Sequence, residues 1–241
     1  MYQLIILIAL PKFQLLNSPF LLASKMTPRV FVAGTDTDIG KTFISALLVK
    51  KWEFDYWKPI QTGLSEDQGD TKTVKQLLRE SGGIPRTSNI FEPTLTYMKP
   101  LSPWRCTVLE KQSSINVESI EIPVSEDERA LNGMIIEGAG GLLVPISKNS
   151  FTTDLIRKLE ASVILVARAE LGTLNHTLMS LEILKQNKIP VIGVILNGAL
   201  NGDNAAALSE LGVRIIAQVP IVKSLDEAID YIPTIDLLTR A

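Results

Sequence analysis

The sequence predicts an α/β fold with a single doubly wound, mostly parallel sheet and helices on both of its faces. From residue 29 onward, short apolar runs rich in β-branched residues alternate with longer segments of helical periodicity, an order that is typical of such folds. Several runs, including residues 163–166, are apolar without alternation, as expected for strands that are buried on both faces. The 241 residues correspond to between one and two domains at about 150 residues each, and the regular alternation favours one.

Strands and helices are expected to follow one another along this segment. The strands are predicted at 30–33, 56–59, 134–137, 163–167, 191–197 and 215–218, and the helices at 41–52, 71–79, 153–159, 174–186 and 205–211. The fourth helix carries Leu174, Leu178, Leu181 and Leu184 near one stripe, as in a helix that packs on a sheet. The link between the first helix and the second strand is short, and the stretch 82–131, rich in Pro, Ser and Thr, predicts no clear element.

The composition argues against several functional classes. The chain has 24 basic and 26 acidic residues and a net charge of −2, which does not favour binding to nucleic acid by bulk charge. Its one cysteine, Cys106, and its one histidine, His176, exclude an internal disulfide and metal sites made of several Cys or His residues. We expect both to be ordinary structural residues, and a cytoplasmic location fits the cysteine usage.

The N-terminal residues differ from the rest of the chain. Residues 1–28 contain no acidic residue, and residues 4–10 are wholly apolar. This run is far shorter than the ~20 residues of a membrane helix, and Lys12 follows it instead of preceding it, unlike a secretory signal. We therefore expect residues 1–25 to be a dispensable extension, Met26 to be a candidate start, and residues 26–241 to form the functional domain.

The strongest motif is a glycine-containing loop between the first strand and the first helix. Residues 34–42 read Gly-Thr-Asp-Thr-Asp-Ile-Gly-Lys-Thr, and the strand–loop–helix context is the one that a phosphate-binding P-loop requires. Free N–H groups and the positive end of the helix dipole then face phosphate. Lys41 is expected to reach the β- and γ-phosphates, and the Thr42 hydroxyl to bind Mg²⁺. The predicted ATP-binding residues here are Asp38, Ile39, Gly40, Lys41, Thr42 and Phe43.

The loop departs from the standard P-loop spacing in one position. Its first glycine, Gly34, lies one residue earlier than in the usual pattern, where Thr35 stands here. A chance Gly-Lys-Thr at a helix start is the alternative interpretation, and the flanking strand and helix weigh against it.

Polar residues follow the second predicted strand. Carboxyl ends of strands in open α/β sheets face the ligand crevice, so Lys58 is expected to meet anionic groups and Thr62 to bind substrate. The alternative for Lys58 is an ordinary solvated lysine. Asp70 begins the next helix, where it is either a magnesium ligand or simply an N-cap.

A carboxylate closes the third predicted strand. Glu137 is followed by Gly138, Ala139, Gly140 and Gly141, which suits a metal and phosphate neighbourhood because a charge at the end of a buried strand needs a partner. We predict Thr42, Asp70 and Glu137 as metal ligands, residues 137–140 as part of the ATP site and Gly141 as a substrate contact. The alternative for the glycines is a tight turn.

The last two predicted strands point to the base of the nucleotide. Asn197 can pair bidentately with adenine, accepting from N6–H and donating to N7, although Asn197-Gly198 is also a strong turn pair. Val219, Pro220 and Ile221 follow the final strand and are expected to wall the base.

Together these motifs resemble the dethiobiotin synthetase family of ATP-dependent enzymes in biotin biosynthesis. The resemblance rests on residues 34–42, Lys58-Pro59, Thr62-Gly63, Asp70, the Glu-Gly-Ala-Gly-Gly of 137–141, the Leu-Gly-Thr-Leu-Asn-His of 171–176 and Asn197. Their order and spacing cover about residues 29–222. Two features are unlike the family, namely the extension at 1–25 and the Trp104-Arg105-Cys106 that follows residues 100–103.

The resemblance implies a ligase that acts on 7,8-diaminopelargonate, CO₂ and MgATP and releases dethiobiotin, ADP and phosphate through a carbamate and a carbamic–phosphoric anhydride. It implies that Lys41 and Lys58 are the catalytic cations, that Mg²⁺ is the metal, and that the protein is a homodimer without a nucleic-acid or membrane partner. By analogy, residues 172–175 receive the substrate carboxylate from the partner subunit.

Two other functions fit part of the pattern. A ParA/MinD-like ATPase switch shares the fold, but its loop usually has an early lysine where Asp36 stands, and residues 232–241 show no basic amphipathic stripe. A cobyrinate-type amidoligase needs a glutaminase domain with a catalytic Cys and His, whereas Cys106 and His176 lie inside the ATPase region.

Overall fold

A computed structural model describes residues 27–124 and 133–236 of the chain. The predicted extension at 1–25 and candidate start at Met26 lie outside the described residues. The main sheet has the strand order β2 (Asp55–Trp57), β5 (Met134–Gly141), β1 (Arg29–Gly34), β6 (Ser162–Arg168), β7 (Val191–Asn197) and β8 (Ile215–Val219). All of its neighbouring strands are parallel. The predicted doubly wound fold is therefore confirmed.

The elements follow in the predicted order. The strands of the main sheet are β1 (Arg29–Gly34), β2 (Asp55–Trp57), β5 (Met134–Gly141), β6 (Ser162–Arg168), β7 (Val191–Asn197) and β8 (Ile215–Val219), and a second small sheet pairs β3 (Ile60–Gln61) with β4 (Leu95–Thr96). The helices are α1 (Lys41–Trp52), α2 (Asp70–Glu80), α3 (Pro103–Leu109), α4 (Thr152–Lys158), α5 (Thr173–Gln186), α6 (Gly202–Glu210) and α7 (Leu225–Ala228).

The predicted strand at 56–59 was wrong at its end. The structure divides this segment into β2, which stays in the main sheet, and β3, which pairs with Leu95–Thr96. Pro59 lies between them and has no N–H to donate to a ladder, so the chain leaves the main sheet after Trp57. The stretch 82–131, which predicted no element, contributes β4, α3 and a 3₁₀ turn at Val117–Ser119.

The short link after α1 is explained by a single backbone conformation. Glu53 follows the last helical residue with φ 56° and ψ 33°, the left-handed region that ends helices. Only Phe54 then separates it from β2, so a full helix fits between the phosphate loop and the second strand.

Alternate residues of the strands pack on opposite faces of the sheet. Phe31 and Ala33 lie in the core beneath α3–α6, while Val30 and Val32 lie in the core beneath α1, α2 and α7. The helices therefore cover both faces of the sheet. Among the described residues, none of the helices has the length and apolar character that a membrane span requires.

Candidate active site

The phosphate loop joins the carboxyl end of β1 to the first turn of α1. Gly40 precedes the helix with φ 85° and ψ 27°, a conformation that residues with a Cβ rarely adopt. A Cβ on Gly40 would also lie 2.2 Å from Nδ2 of Asn197. Glycine is thus required here both by the backbone and by the space beside it.

Asn197 ends β7 and contacts this loop directly. Its Nδ2 donates to the backbone oxygen of Ile39 at 2.9 Å, so the side chain holds the loop beside the sheet. An amide nitrogen carries two hydrogens, so this bond to Ile39 uses one of the two N–H groups of the Asn197 side chain. Gly198 donates to the carbonyl of Val219 at 3.0 Å, which ties the ends of β7 and β8 together.

Four charged side chains and one hydroxyl meet at the start of α1, namely those of Lys41, Lys58, Asp70, Glu137 and Thr42. The Thr42 hydroxyl lies 3.0 Å from Oδ1 of Asp70 and 2.9 Å from Oε1 of Glu137. Lys58 Nζ lies 3.3 Å from the same Glu137 oxygen and forms an ion pair with Oδ2 of Asp70. The structure thus brings together the end of β5, the start of α2 and the phosphate loop.

Lys58 is a buried cation and not the solvated lysine of the alternative interpretation. Its side chain is 4% exposed and that of Glu137 is 1% exposed. Burial by itself lowers the pKa of Lys58, but the carboxylates of Glu137 and Asp70 outweigh it and leave this pKa raised. Burial likewise opposes ionisation of Asp70, yet Lys58 and the Thr42 hydroxyl hold the pKa of Asp70 below its usual value.

Lys41 lies across the phosphate loop. Its Nζ donates to the backbone oxygen of Asp36 at 2.9 Å. Burial, and next the positive charge of Lys58, lower the pKa of Lys41. Two lysines and two carboxylates thus balance in charge at this end of the sheet.

The oxygen atoms of this cluster fit a magnesium ion. The Thr42 hydroxyl has one proton but two acceptors within reach, and hydroxyl and carboxylate oxygens are the ligands that Mg²⁺ prefers. Within residues 27–124 and 133–236, no set of three or more His, Cys, Asp and Glu side chains forms a metal site, so a metal here would use two carboxylates and this hydroxyl, with the remaining positions left to phosphate and water.

Asp70 is not the N-cap of α2, which was one of the two interpretations of this residue that the sequence left open. Gly69 occupies the N-cap position and Asp70 is the first helical residue, which leaves its carboxylate for Thr42 and Lys58. Gln61 binds this helix start instead, since its Oε1 accepts from the backbone N–H of Asp70 at 2.9 Å.

An open cleft of about 910 Å³ adjoins the cluster. Of the predicted residues, its walls include Asp38, Gly40, Lys41, Thr42, Lys58, Thr62, Asp70, Glu137, Ala139 and Gly140. The cleft is also lined by Gln61, Gly63, Glu66, Asp67 and residues 100–103. The cleft is large enough for a nucleotide phosphate chain and a second small molecule side by side.

The remaining predicted residues lie outside the walls of this cleft. These are Ile39, Phe43, Gly138, Gly141, Asn197, Gly198, Val219, Pro220 and Ile221. Val219 is fully buried in the core, so of the predicted base wall only Pro220 and Ile221 have side-chain surface. Gly138 contributes its carbonyl, which accepts from Lys58 Nζ at 3.5 Å.

Sequence reasoning missed three residues around the site. Tyr56 donates from its hydroxyl to Oε2 of Glu137 at 2.9 Å, and burial, followed by the nearby carboxylates, raises the pKa of Tyr56 well above its usual value. Gln61 is the second, and Arg168 is the third, donating to the carbonyl of Thr37 at 3.3 Å. Tyr56 lies two residues before Lys58 within the predicted strand 56–59, and the alternation of side chains along that predicted strand was the available signal.

The two single residues of the composition lie away from the charged cluster. Cys106 is buried in α3, where its thiol donates to the carbonyl of Lys99 at 3.3 Å. His176 is exposed on the first turn of α5. Neither lines the cleft.

Comparison with known proteins gives consistent matches over most of the chain. A family model described as an AAA domain matches residues 28–228. The ATP-dependent dethiobiotin synthetase of Paramagnetospirillum magneticum is 40% identical over 79% of this chain and 86% of its own. The bifunctional biotin biosynthesis protein of Bordetella avium is 42% identical over 87% of this chain, which spans 44% of that longer relative. The solved cell-division ATPase MinD of Pyrococcus furiosus covers 86% of this chain and 90% of its own at 15% identity, with a TM-score of 0.49.

Proposed function

Because this chain belongs to the ATP-dependent dethiobiotin synthetase family, we propose that it closes the cyclic urea of dethiobiotin from 7,8-diaminopelargonate, CO₂ and ATP. One observation carries the proposal at the level of residues. Lys58, Asp70 and Glu137 are drawn together beside the Thr42 hydroxyl at the mouth of the phosphate loop, and the cleft that opens there has room for a second substrate.

The first chemical step forms a carbamate. One amine of the substrate attacks the carbon of CO₂ and loses a proton, which gives a carbamate anion on that nitrogen. Lys58 is the cation that meets this anion, because it lies on the wall of the cleft and its raised pKa keeps it protonated. Thr62 lies on the same wall and orients the substrate.

The second step transfers the γ-phosphoryl group. A carbamate oxygen attacks the γ-phosphorus, the bond to the bridging oxygen breaks, and ADP leaves with the electron pair. The negative charge that spreads over the transferring group needs cations and N–H donors more than covalent catalysis. Lys41 and the N–H groups at the start of α1 supply these, with residues 38–40 shaping the loop.

The third step closes the ring. The second amine attacks the carbonyl carbon of the carbamic–phosphoric anhydride, the bond to the phosphate oxygen breaks, and inorganic phosphate leaves as the cyclic urea forms. The attack is intramolecular because the second amine and the anhydride belong to the same substrate molecule, and the cleft need only hold that molecule in a conformation that brings the two groups together.

Thr42, Asp70 and Glu137 are the residues that would hold Mg²⁺. The ion, when bound, supplies charge that neutralises the β- and γ-phosphate oxygens. Asn197, with Pro220 and Ile221 nearby at the end of β8, is proposed to receive the adenine.

Several further features belong to the same proposal. We place the functional domain at 26–241 with a dispensable extension at 1–25, in a cytoplasmic homodimer that binds neither nucleic acid nor membrane. Residues 172–175 of one subunit would then receive the substrate carboxylate of the other. Gly172 precedes α5 with φ 92°, and the N–H groups in the first turn of a helix suit a carboxylate.

The decisive experiment measures phosphate release with and without the diamine. We expect release to require both diaminopelargonate and bicarbonate, and to match dethiobiotin formation one to one. Phosphate release that ignores the diamine would contradict the proposal and favour an ATPase switch of the ParA/MinD kind. A matched Lys58→Ala variant should retain nucleotide binding and lose diamine-dependent release.

A further inference from the structure

Glu137 is held from two sides by different groups. Its Oε1 faces Thr42 at 2.9 Å and Lys58 at 3.3 Å, while its Oε2 accepts a hydrogen bond from the Tyr56 hydroxyl at 2.9 Å. Tyr56 is fully buried. The two oxygens of one carboxylate are thus divided, with one turned toward the phosphate loop and the other toward a phenol in the core.

The backbone around Tyr56 is fixed on both edges of its strand. In the sheet, β2 pairs with β5 so that Tyr56 lies opposite Ile135, two residues before Glu137 on the same face. On the outer edge, the Tyr56 N–H donates to the carbonyl of Asn89 at 2.8 Å, and its own carbonyl accepts from Phe91 N–H at 2.9 Å. The phenol therefore has little freedom to move away from Glu137.

The outer segment is itself held by a buried acid. Asp55, which is 5% exposed, accepts from the backbone N–H of Asn89 at 2.6 Å and from its side-chain amide at 3.2 Å. This contact keeps residues 89–91 against β2 and adds to the rigidity of the strand that carries Tyr56.

We propose that Tyr56 is a positioning residue that sets the orientation of Glu137 for binding a divalent cation. The terminal torsion of a glutamate is broad, so a carboxylate bound only through Oε1 is free to turn. A donor on Oε2 fixes the plane of the carboxylate and leaves Oε1 toward Thr42. Such outer contacts to a metal-binding carboxylate are typically worth 10–100-fold in metal affinity. The inference rests on the proposed metal role of Glu137 and adds a residue to it.

The test uses the full-length protein and Mn²⁺ as the probe, with ADP present. Free Mn²⁺ is measured by electron paramagnetic resonance for wild type, Tyr56→Phe, Tyr97→Phe and Glu137→Gln. Tyr97 is the matched control, since it is also a buried tyrosine but its ring lies in the core on the other face of the sheet. Thermal unfolding without metal reports the folding of each variant.

We expect Tyr56→Phe to weaken Mn²⁺ binding about tenfold or more. Tyr97→Phe should bind Mn²⁺ as tightly as wild type, and Glu137→Gln should bind it more weakly than Tyr56→Phe does. In turnover assays, the apparent Mg²⁺ constant should rise, the KM for the diamine should stay constant, and saturating Mg²⁺ should restore kcat. A merely structural role of the ring would not produce rescue by metal.

Two results would overturn the inference in distinguishable ways. If Glu137→Gln weakens Mn²⁺ binding but Tyr56→Phe weakens it no more than Tyr97→Phe does, the positioning role is wrong and the metal site stands. If Glu137→Gln leaves Mn²⁺ binding intact, the metal role of Glu137 is wrong and the positioning role falls with it.

Discussion

Replacing Lys58 with methionine tests whether the buried charges depend on one another. Lys58 is 4% exposed and its two acidic partners, Glu137 and Asp70, are 1% and 29% exposed. The substitution keeps an unbranched apolar side chain of similar volume and removes the ammonium group, with its charge and its hydrogen bonds to Glu137 and the Gly138 carbonyl. Glu137 is then left in the interior without its nearest cation.

The expected loss follows from the contacts that remain. Removing one partner of a buried pair typically costs 3–5 kcal/mol, because the other charge is left uncompensated. Here Glu137 keeps its hydrogen bonds with Tyr56 and Thr42, and Lys41 remains nearby, so we expect the lower end, about 3 kcal/mol. With a urea slope of about 3 kcal/mol per molar, the unfolding midpoint should fall by about 1 M.

Urea unfolding of Lys58→Met and of the double variant Lys58→Met/Glu137→Gln measures this effect. The double variant removes the stranded charge, so it should recover at least about 1 kcal/mol relative to Lys58→Met. A single variant within about 0.5 kcal/mol of wild type at equal slope would refute the argument.

Three further outcomes are expected. Lys41→Ala should lower kcat for diamine-dependent phosphate release by about 10²–10³-fold, as measured for the loss of one fixed donor to a transition-state charge; turnover within a factor of a few of wild type would contradict the P-loop role. Gly40→Ala should cost about 2–4 kcal/mol in urea unfolding, since it combines a positive φ with a contact against Asn197. Gly82→Ala is its control, because Gly82 has φ 92° with nothing within 4 Å of an added Cβ. If both variants lose the same free energy of unfolding, the contact with Asn197 does not contribute to the loss at Gly40. Asp70→Asn should reduce the loss of thermal stability at acid pH. The lowered pKa of Asp70 stabilises the fold above its unfolded pKa of about 3.9, and this contribution disappears as pH falls through the folded value. If the unfolding temperature of the variant falls at acid pH as steeply as that of wild type, the ion pair is contradicted.

The fold was predictable because its signals are local and periodic. Continuous apolar runs marked the buried strands of the main sheet, and the boundaries of β7 (Val191–Asn197) and α1 (Lys41–Trp52) were predicted to the residue. What failed was the end of the second strand, where Pro59 diverts the chain into a small sheet with residues 95–96. That pairing joins segments far apart in sequence, so no local pattern carried it.

The site divides in the same way between local and distant signals. The P-loop spacing and the Glu137 strand end placed the charged groups near each other, since parallel strands bring their carboxyl ends to one edge. The contacts among these groups depend on side-chain directions from several elements. The hydrogen bond from Tyr56 to Glu137 joins neighbouring strands, and the one from Asn197 to the Ile39 carbonyl joins β7 to the loop. No local sequence pattern carries either contact.

The buried charges are poorly explained as a stabilising device. Replacing a buried ion pair by well-packed apolar residues is often neutral or favourable, and the residues that precede Glu137 in β5, Met134 to Ile136, are apolar and buried. A sheet selected only for stability would therefore place a hydrophobic residue at position 137, as it does at Ile135 and Ile136. The carboxylate stands where β5 reaches the cleft, next to a hydroxyl that has more acceptors than protons. A cluster that is neutral in total but rich in oxygen at the mouth of a phosphate loop is better understood as a binding site, in which the stability given up by burying charge is recovered when a nucleotide and its metal bind to the folded state.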